Sequence, residues 1–269
     1  MLPQILGILN ITNDSFSDGG RFIKPELADL HAQQLADDGA NIIDIGAVSS
    51  NPEGDSPSIK EEIHRIERVL PAAIKTNCAI SVDSFRTETQ RHFLRHSTQI
   101  DYLNDIAGFS DLSFHSELAD SNVKLIVMHS VQTGRATITD TTPESISQRL
   151  YTFFDLRVNQ LLKAGVQPSR IILDPGMGHF LGQDANCSIA AIQSIPSLKE
   201  RYNLPILVSV SRKSFLGAIT GRTVFDRQAA TLAAEICCLQ LGANFIRTHE
   251  PSSLKDSIKI LKQFNFLIS

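Results

Sequence analysis

The sequence predicts a closed (β/α)8 TIM barrel, an α/β fold built as a single domain over residues 1–269. Three observations carry this. Short apolar runs rich in Ile, Val and Leu recur about eight times, each followed by a longer segment with helical spacing. Continuous apolar runs mark parallel strands buried on both faces, and their alternation with helices marks a parallel sheet. The length of 269 residues suits a barrel, which typically takes about 250. Finally, the segment after the first run, Asn13-Asp14-Ser15-Phe16-Ser17-Asp18-Gly19-Gly20, is not a G-x-G-x-x-G, so an open dinucleotide-binding sheet lacks its signature.

In chain order, the stretch from Gln4 to Asn10 (QILGILN) reads as the first strand. A helix is expected from Pro25 to Asp38, opened by Pro-Glu and stopped at Gly39. Asn41 to Gly46 (NIIDIG) is the second strand. Ser58 to Lys75 follows as a helix, with Glu61 and Glu62 early and apolar residues at Ile59, Ile63, Ile66 and Leu70. Further strands are expected from Ala79 to Ser84, Ile100 to Asp105, Val123 to His129, Arg170 to Pro175, Pro205 to Ser211 and Asn244 to His249. The helices between and after them run from Thr87 to His96, Ser113 to Ala119, Pro143 to Ala164, Ala185 to Arg201, Arg227 to Leu241 and Pro251 to Gln263.

Composition narrows the function classes. With 42% hydrophobic and 20% charged residues, the chain is neither disordered nor fibrous. A net charge of −4 argues against non-specific nucleic-acid binding and against a polybasic membrane surface. Four cysteines, two of them adjacent at Cys237 and Cys238, form neither a disulfide framework nor a zinc spacing, so a reducing cytoplasm is expected. No basic leader or cleavage pattern and no apolar run of about 18 residues is read, so neither a signal peptide nor a membrane span is expected.

In such a barrel chemistry sits at the C-terminal ends of the strands. Here those ends carry Asn10, then Ser49-Ser50-Asn51, Asp83, Asn104 with Asp105, His129, Asp174, Ser211-Arg212-Lys213, and Arg247 with His249. One polar residue at a strand end is ordinarily a cap or turn former; so many at one rim call for a pocket. For Asp44 and Asp105 a simple role as caps or loop cross-links stays open. Asp83, Asn104, Asp174 and Lys213 could line one pocket, where a carboxylate accepts two N–H bonds from a guanidine-like ring edge. Arg247, His249 and Asn10 are expected to meet where the first and last strands adjoin, a cationic cluster suited to a phosphate. A heterocyclic phosphate ester, its anion leaving, would use both halves.

These residues sit in a set of motifs: N-I-T-N-D-S-F-S-D-G-G from Asn10, I-I-D-I-G from Ile42, S-V-D-S from Ser81, L-N-D-I from Leu103, M-H at Met128, L-D-P-G-M-G from Leu173, S-R-K-S-F-L-G from Ser211 and I-R-T-H from Ile246. In this order, over nearly the whole chain, the pattern resembles the dihydropteroate synthases. The resemblance implies a (β/α)8 barrel transferase of folate synthesis. It joins p-aminobenzoate to 6-hydroxymethyl-7,8-dihydropterin pyrophosphate and releases pyrophosphate. Carried over by position, Asp83, Asn104, Asp174 and Lys213 hold the pterin and Met128 flanks it. Arg247 covers the ring and contacts the anion, while His249 and Asn10 serve the pyrophosphate and a Mg²⁺ bound at Asn10. Ser50, Asn51, Ser211 and Phe180 complete the substrate contacts, and Asp83, Lys213, Arg247 and His249 are the expected catalytic set. The resemblance also implies a homodimer through the late helices.

The departures have a pattern of their own. The family's G-E-S-T-R-P is here Gly46-Ala47-Val48-Ser49-Ser50-Asn51-Pro52, so Ser50 keeps a hydroxyl and Asn51 removes a cation. Asn13 replaces a Pro, and the loop after the sixth strand reads Gly176-Met177-Gly178-His179-Phe180-Leu181-Gly182, one residue longer than usual. Together with S-S-N-P, V-M-H-S-V-Q, T-G-R and A-T-L-A-A-E, these features resemble the sulfonamide-insensitive members, although Gly217 stands where that subgroup would have Arg. Phe180 is then expected to act as a wedge against the drug. Two other readings stand: a corrinoid-dependent pterin methyltransferase, which has no need of S-R-K-S and R-T-H, and a non-catalytic pterin-binding paralogue, favoured by Asn51. His31, His64, His92, His96 and His115 are expected to be surface or packing residues, and Phe153 and Phe154 core.

Overall fold

The computed structural model describes residues 2–11, 25–48, 56–97, 99–130, 141–182 and 184–266. Among these the strands are β1 (Gln4–Asn10), β2 (Ile42–Gly46), β3 (Ala79–Asp83), β4 (Tyr102–Asp105), β5 (Lys124–Met128), β6 (Ile171–Asp174), β7 (Leu207–Val208) and β8 (Phe245–Thr248). The helices are α1 (Pro25–Asp37), α2 (Ile59–Lys75), α3 (Thr87–His96), α4 (His115–Asp120), α5 (Ile146–Lys163), α6 (Ala185–Gln193), α7 (Ile195–Tyr202), α8 (Ser214–Thr220), α9 (Gln228–Gln240) and α10 (Pro251–Gln263). All strand pairs are parallel, in the order β6-β5-β4-β3-β2-β1-β8-β7. The ring closes between β6 and β7 through a bridge of Leu173 to Ile206, with Leu173 N–H donating to the Pro205 carbonyl at 2.9 Å. The eight-stranded, helix-wrapped barrel expected from the sequence is what forms.

Period-two alternation divides each strand. Leu6, Ile42, Tyr102, Ile126, Ile172 and Leu207 form one apolar cluster in the barrel interior. Neighbours such as Ile5, Leu9, Ile43, Ile45, Val82, Leu103, Val127 and Leu173 pack outward against the helices, in a larger core that includes Ile66, Phe93, Phe154 and Leu254. Two residues beyond the interior cluster, the same alternation brings Asp44, Asn104, Met128 and Asp174 to the inside. In that way the apolar plug becomes the floor of a polar chamber.

Four details differ from the sequence expectation. The helix expected from Ala185 to Arg201 divides at Ser194 into α6 and α7, because Pro196 has no N–H and its ring would strike a carbonyl of the preceding turn. The segments opening at Ser113 and Pro143 begin as 3-10 turns, Leu112–Phe114 and Pro143–Ser145. The seventh strand shrinks to Leu207–Val208, since the chain beyond it turns, with Lys213 N–H reaching the Val210 carbonyl at 3.2 Å. The short helix α8 follows, where no helix is expected from the sequence. It ends at Gly221, in the left-handed conformation at φ 70°.

Candidate active site

The side chains on the chamber floor form one connected charge system. Arg247, inward on β8, donates from Nε to Asp44 Oδ2 at 2.6 Å and from Nη2 to Asp83 Oδ2 at 2.8 Å. Asn104 Nδ2 approaches the same Asp44 oxygen at 3.4 Å. Asp44 is completely buried. Its second oxygen, Asn104 Oδ1 and Ser81 Oγ have no protein partner among the described residues. Buried polar atoms of this kind are ordinarily satisfied by water or ligand. Gly46 leaves the space above: a Cβ there would touch Asn10 Oδ1 at 3.4 Å and Asp83 Oδ2 at 3.5 Å. Asn10 and Asp83 are thus neighbours at the rim.

Asp174 ends β6 and is buried, one oxygen accepting the Gly176 N–H at 2.8 Å. Burial pushes its carboxyl up to about 6, against the pull of that bond, Lys213 and Arg247. Burial and the nearby Arg247 push Lys213 down to about 8, with Asp174 and Asp83 opposing. Burial likewise raises Asp83, although Arg247 holds it back. Two carboxyls and an ammonium therefore stand near neutrality, ready to exchange charge with a ligand. Arg247 itself is held above its ordinary value by Asp44 and Asp83, which outweigh its burial, so its guanidinium stays charged.

Beside this lies the second half. Ser211 Oγ meets His249 Nδ1 at 2.8 Å and accepts the His249 backbone N–H at 3.2 Å. Burial, then the charges of Arg212, Arg247 and Lys213, push His249 down to about 3, so the ring is neutral. An apolar wall closes the site: Ile106, Met128 and Phe180 cluster with Phe85 against them. The Lys213 ammonium stands 5.5 Å from the centre of the Phe180 ring.

Asp83, Asn104, Met128, Asp174, Phe180, Ser211, Lys213, Arg247 and His249 thus lie at one end of the barrel, with Asn10 beside Asp83. Arg247 is engaged by carboxylates across the chamber, whereas His249 turns to Ser211. Ser50 and Asn51 lie outside the described residues, as does the side chain of His179. Asp105 is a cap, accepting the N–H groups of Ala107 at 2.7 Å and Phe109 at 2.8 Å. Asp44 is neither a cap nor a loop cross-link: it is the counter-charge of Arg247. The signal was available, because Asp44 lies two residues after an inward Ile42 in an otherwise apolar strand, and a buried acid needs a partner. His129 alternates outward, packs edge-on against Phe153 with centroids 5.1 Å apart, and holds the Pro175 carbonyl at 3.2 Å. His115 is buried on the Phe109 carbonyl, and Phe154 is core.

The model of the family described as "Pterin binding enzyme" matches residues 6–249. The dihydropteroate synthase type-3 of Escherichia coli is 45% identical over 262 residues, 97% of this chain and 99% of that one. The chain belongs to the pterin-binding enzymes, in their dihydropteroate synthase branch. Among solved structures, the dihydropteroate synthase of Xanthomonas albilineans with 4-aminobenzoic acid superposes with a TM-score of 0.87 at 29% identity, covering 98% of this chain and 93% of that one. The enzyme of Anaplasma phagocytophilum with bound 6-hydroxymethylpterin-monophosphate gives 0.86 at 29% identity, covering 98% and 100%.

Proposed function

We propose that this chain condenses 6-hydroxymethyl-7,8-dihydropterin pyrophosphate with p-aminobenzoate, giving dihydropteroate and pyrophosphate. The observation that carries the reading is the convergence of Asp83, Asn104, Asp174, Lys213 and Arg247 in one chamber, with the Ser211–His249 pair beside it. Asp174 accepts the amino-pyrimidine N–H groups, while Asn104 and Lys213 answer the ring carbonyl and nitrogens. Met128 flanks the ring. As the C–O bond breaks, its electron pair leaves with pyrophosphate, and cationic character on the methylene spreads into the ring, where Asp83 and Asp174 offset it. Arg247, His249 and Ser211 hold the leaving anion. The arylamine nitrogen then forms the C–N bond with its lone pair and releases a proton.

Asn10 supplies a single neutral oxygen beside Asp83, and the described residues contain no group of three His, Cys, Asp or Glu able to hold a metal. That donor set fits Mg²⁺ held mainly by substrate phosphates and water. When bound there, the ion would neutralise the pyrophosphate. The test of the whole reading is pyrophosphate release with and without p-aminobenzoate. Release only when both substrates are present is expected; release without the arylamine, or none at all, would overturn it.

Insensitivity to sulfonamides belongs to the same proposal. The drug carries a tetrahedral sulfonyl where the substrate has a flat carboxylate, and Phe180 stands on the site wall to meet it. A homodimer is supported by Ile219, Val224 and Phe225, which lie close in sequence on α8 and the turn after it and are 59%, 41% and 77% exposed. Sedimentation should give a dimer that Phe225→Asp converts to monomer; a monomeric wild type would sink that part.

A further inference from the structure

The corner carrying Ser211 and Lys213 has little of its own to fix it. β7 contributes only two residues before it, and Arg212 sits in the left-handed region at φ 59°, a conformation that disfavours a side chain with a Cβ. Beyond the turn bond from Lys213 N–H to the Val210 carbonyl at 3.2 Å, what holds it comes from outside. Arg227, on the turn before α9, donates from Nη1 to the carbonyls of Arg212 at 2.9 Å and Lys213 at 3.3 Å, and from Nε to the carbonyl of Arg222 at 3.2 Å. Thr231 Oγ1, one turn further along α9, accepts the Arg212 N–H at 3.0 Å. Both polar groups of the Arg212 peptide are therefore held by the α9 side of the molecule.

Gly217, in the middle of α8, completes the arrangement. A Cβ at this position would fall onto the Arg227 guanidinium, 2.6 Å from Cζ and 2.7 Å from Nε. The helix conformation needs no glycine here, and glycine is a poor helix former; the room is needed by Arg227. We infer that Arg227 is a positioning residue for the active site: lodged in the space left by Gly217, it braces the left-handed turn at Arg212 and so sets where Ser211 and Lys213 meet the substrate. The effect reaches further, because Lys213 faces the Phe180 ring and a Cβ on Gly178 would lie 3.6 Å from Lys213 Cδ. A displaced Lys213 would unseat the loop after β6 as well. This inference rests on the reading of Lys213 as a pterin ligand.

A double-mutant cycle tests it, because Gly217→Ala should expel Arg227 without removing it. The guanidinium is the far end of a flexible side chain, and alanine favours the helix, so Gly217→Ala should still fold, which a cooperative melting curve checks. Arg227→Ala and Gly217→Ala should each raise KM for the dihydropterin pyrophosphate and lower kcat/KM about ten- to a hundredfold. The double variant should be no worse than Arg227→Ala alone, since the methyl group then has nothing to displace. A second readout needs no activity: labelling of Lys213 by an amine-reactive ester, followed by peptide mass spectrometry across pH. In both single variants its titration should move from the wild-type value toward that of an ordinary lysine, as the ammonium leaves Asp174, Asp83 and Arg247. Wild-type kinetics and labelling in Gly217→Ala, or independent, multiplying losses in the double variant, would overturn the brace. A wild type that releases no pyrophosphate would instead overturn the functional reading, and the labelling arm would still decide the brace.

Discussion

At the scale of single residues, the chamber sacrifices stability for charge placement. Asp174 ordinarily titrates near 3.8 and is pushed up to about 6 by burial. The folded protein therefore holds its proton more tightly than the unfolded chain. The resulting loss of stability is absent below about pH 4 and complete above about pH 6. Asp174→Asn should consequently melt a few degrees higher than the wild type at pH 7.5 and lose that advantage at pH 4. Its pterin affinity should fall by orders of magnitude, because an amide N–H₂ then faces the ring's donors. Calorimetry showing unchanged pterin affinity would remove Asp174 from the site. Arg247 behaves oppositely. Arg247→Ala strands the Asp44 and Asp83 carboxylates without their partner, which should cost about 3–5 kcal/mol. Part of that should return on acidification, as Asp83, already raised by burial, takes up a proton. A melting curve indifferent to pH in this variant would mean that water replaces the guanidinium. Asp83, Asn104 and Asp174 were legible in the sequence because each polar residue interrupts or ends a short apolar run. Asp44 also interrupts such a run, but its partner was not legible, because Arg247 lies 203 residues away, and only the closed ring makes the two neighbours.

At the scale of elements, what the sequence revealed depends on whether local or distant contacts decide. The long amphipathic helix α2 has its own signals: Ser58 accepts the Glu61 N–H at 3.2 Å, and Lys75 stands in the last turn. The split between α6 and α7 was also written locally, in Pro196. β7 and α8 were harder, because the turn between them is held by Arg227 and Thr231 from α9 and its approach. The loop after β6 shows both kinds of control. Gly176 adopts φ 72°, and a Cβ there would collide with the His129 carbonyl. Gly176→Ala should destabilise the protein by more than the roughly 1–2 kcal/mol of left-handed strain alone; unfolding at unchanged denaturant midpoint would show the loop to be pliant. Phe180, further along the same loop, is buried against Met128 and Ile106. Its removal, by Phe180→Gly, should increase sulfonamide inhibition about tenfold or more, each tenfold corresponding to roughly 1.4 kcal/mol, while KM for p-aminobenzoate changes less. A wild type already sensitive to the drug, or equal losses for both ligands, would refute the wedge.

For the whole molecule, the barrel is uneven around its circumference. β1 and β2 pair over five residues, from Leu6↔Ile42 to Asn10↔Gly46, and β2 and β3 over five more. The seam between β6 and β7 has the single bridge of Leu173 to Ile206 and the Leu173-to-Pro205 hydrogen bond. Few hydrogen bonds across a junction mean that it opens at lower free energy than the rest of the sheet. The proposed pterin ligands straddle this seam, with Asp174 at the end of β6 and Lys213 just after β7. A pterin held by both would stitch the barrel where its own backbone does so least, turning binding energy into closure energy. Ligand that binds only the closed form stabilises it by RT ln(1 + [L]/Kd), about 2.7 kcal/mol at a hundredfold excess over Kd. Hydrogen exchange should show this locally. In the free protein the Leu173 amide should exchange faster than those of Ile43 and Ile45 in β2, although all three residues are fully buried. Saturating pterin should slow Leu173 by about a hundredfold, the factor equivalent to that free energy, and slow β2 less. Lys213→Ala should abolish the selective protection even at pterin concentrations that fill its site. Uniform slowing of all strands, or protection at the seam that survives Lys213→Ala, would mean that ligand binding and barrel closure are separate events.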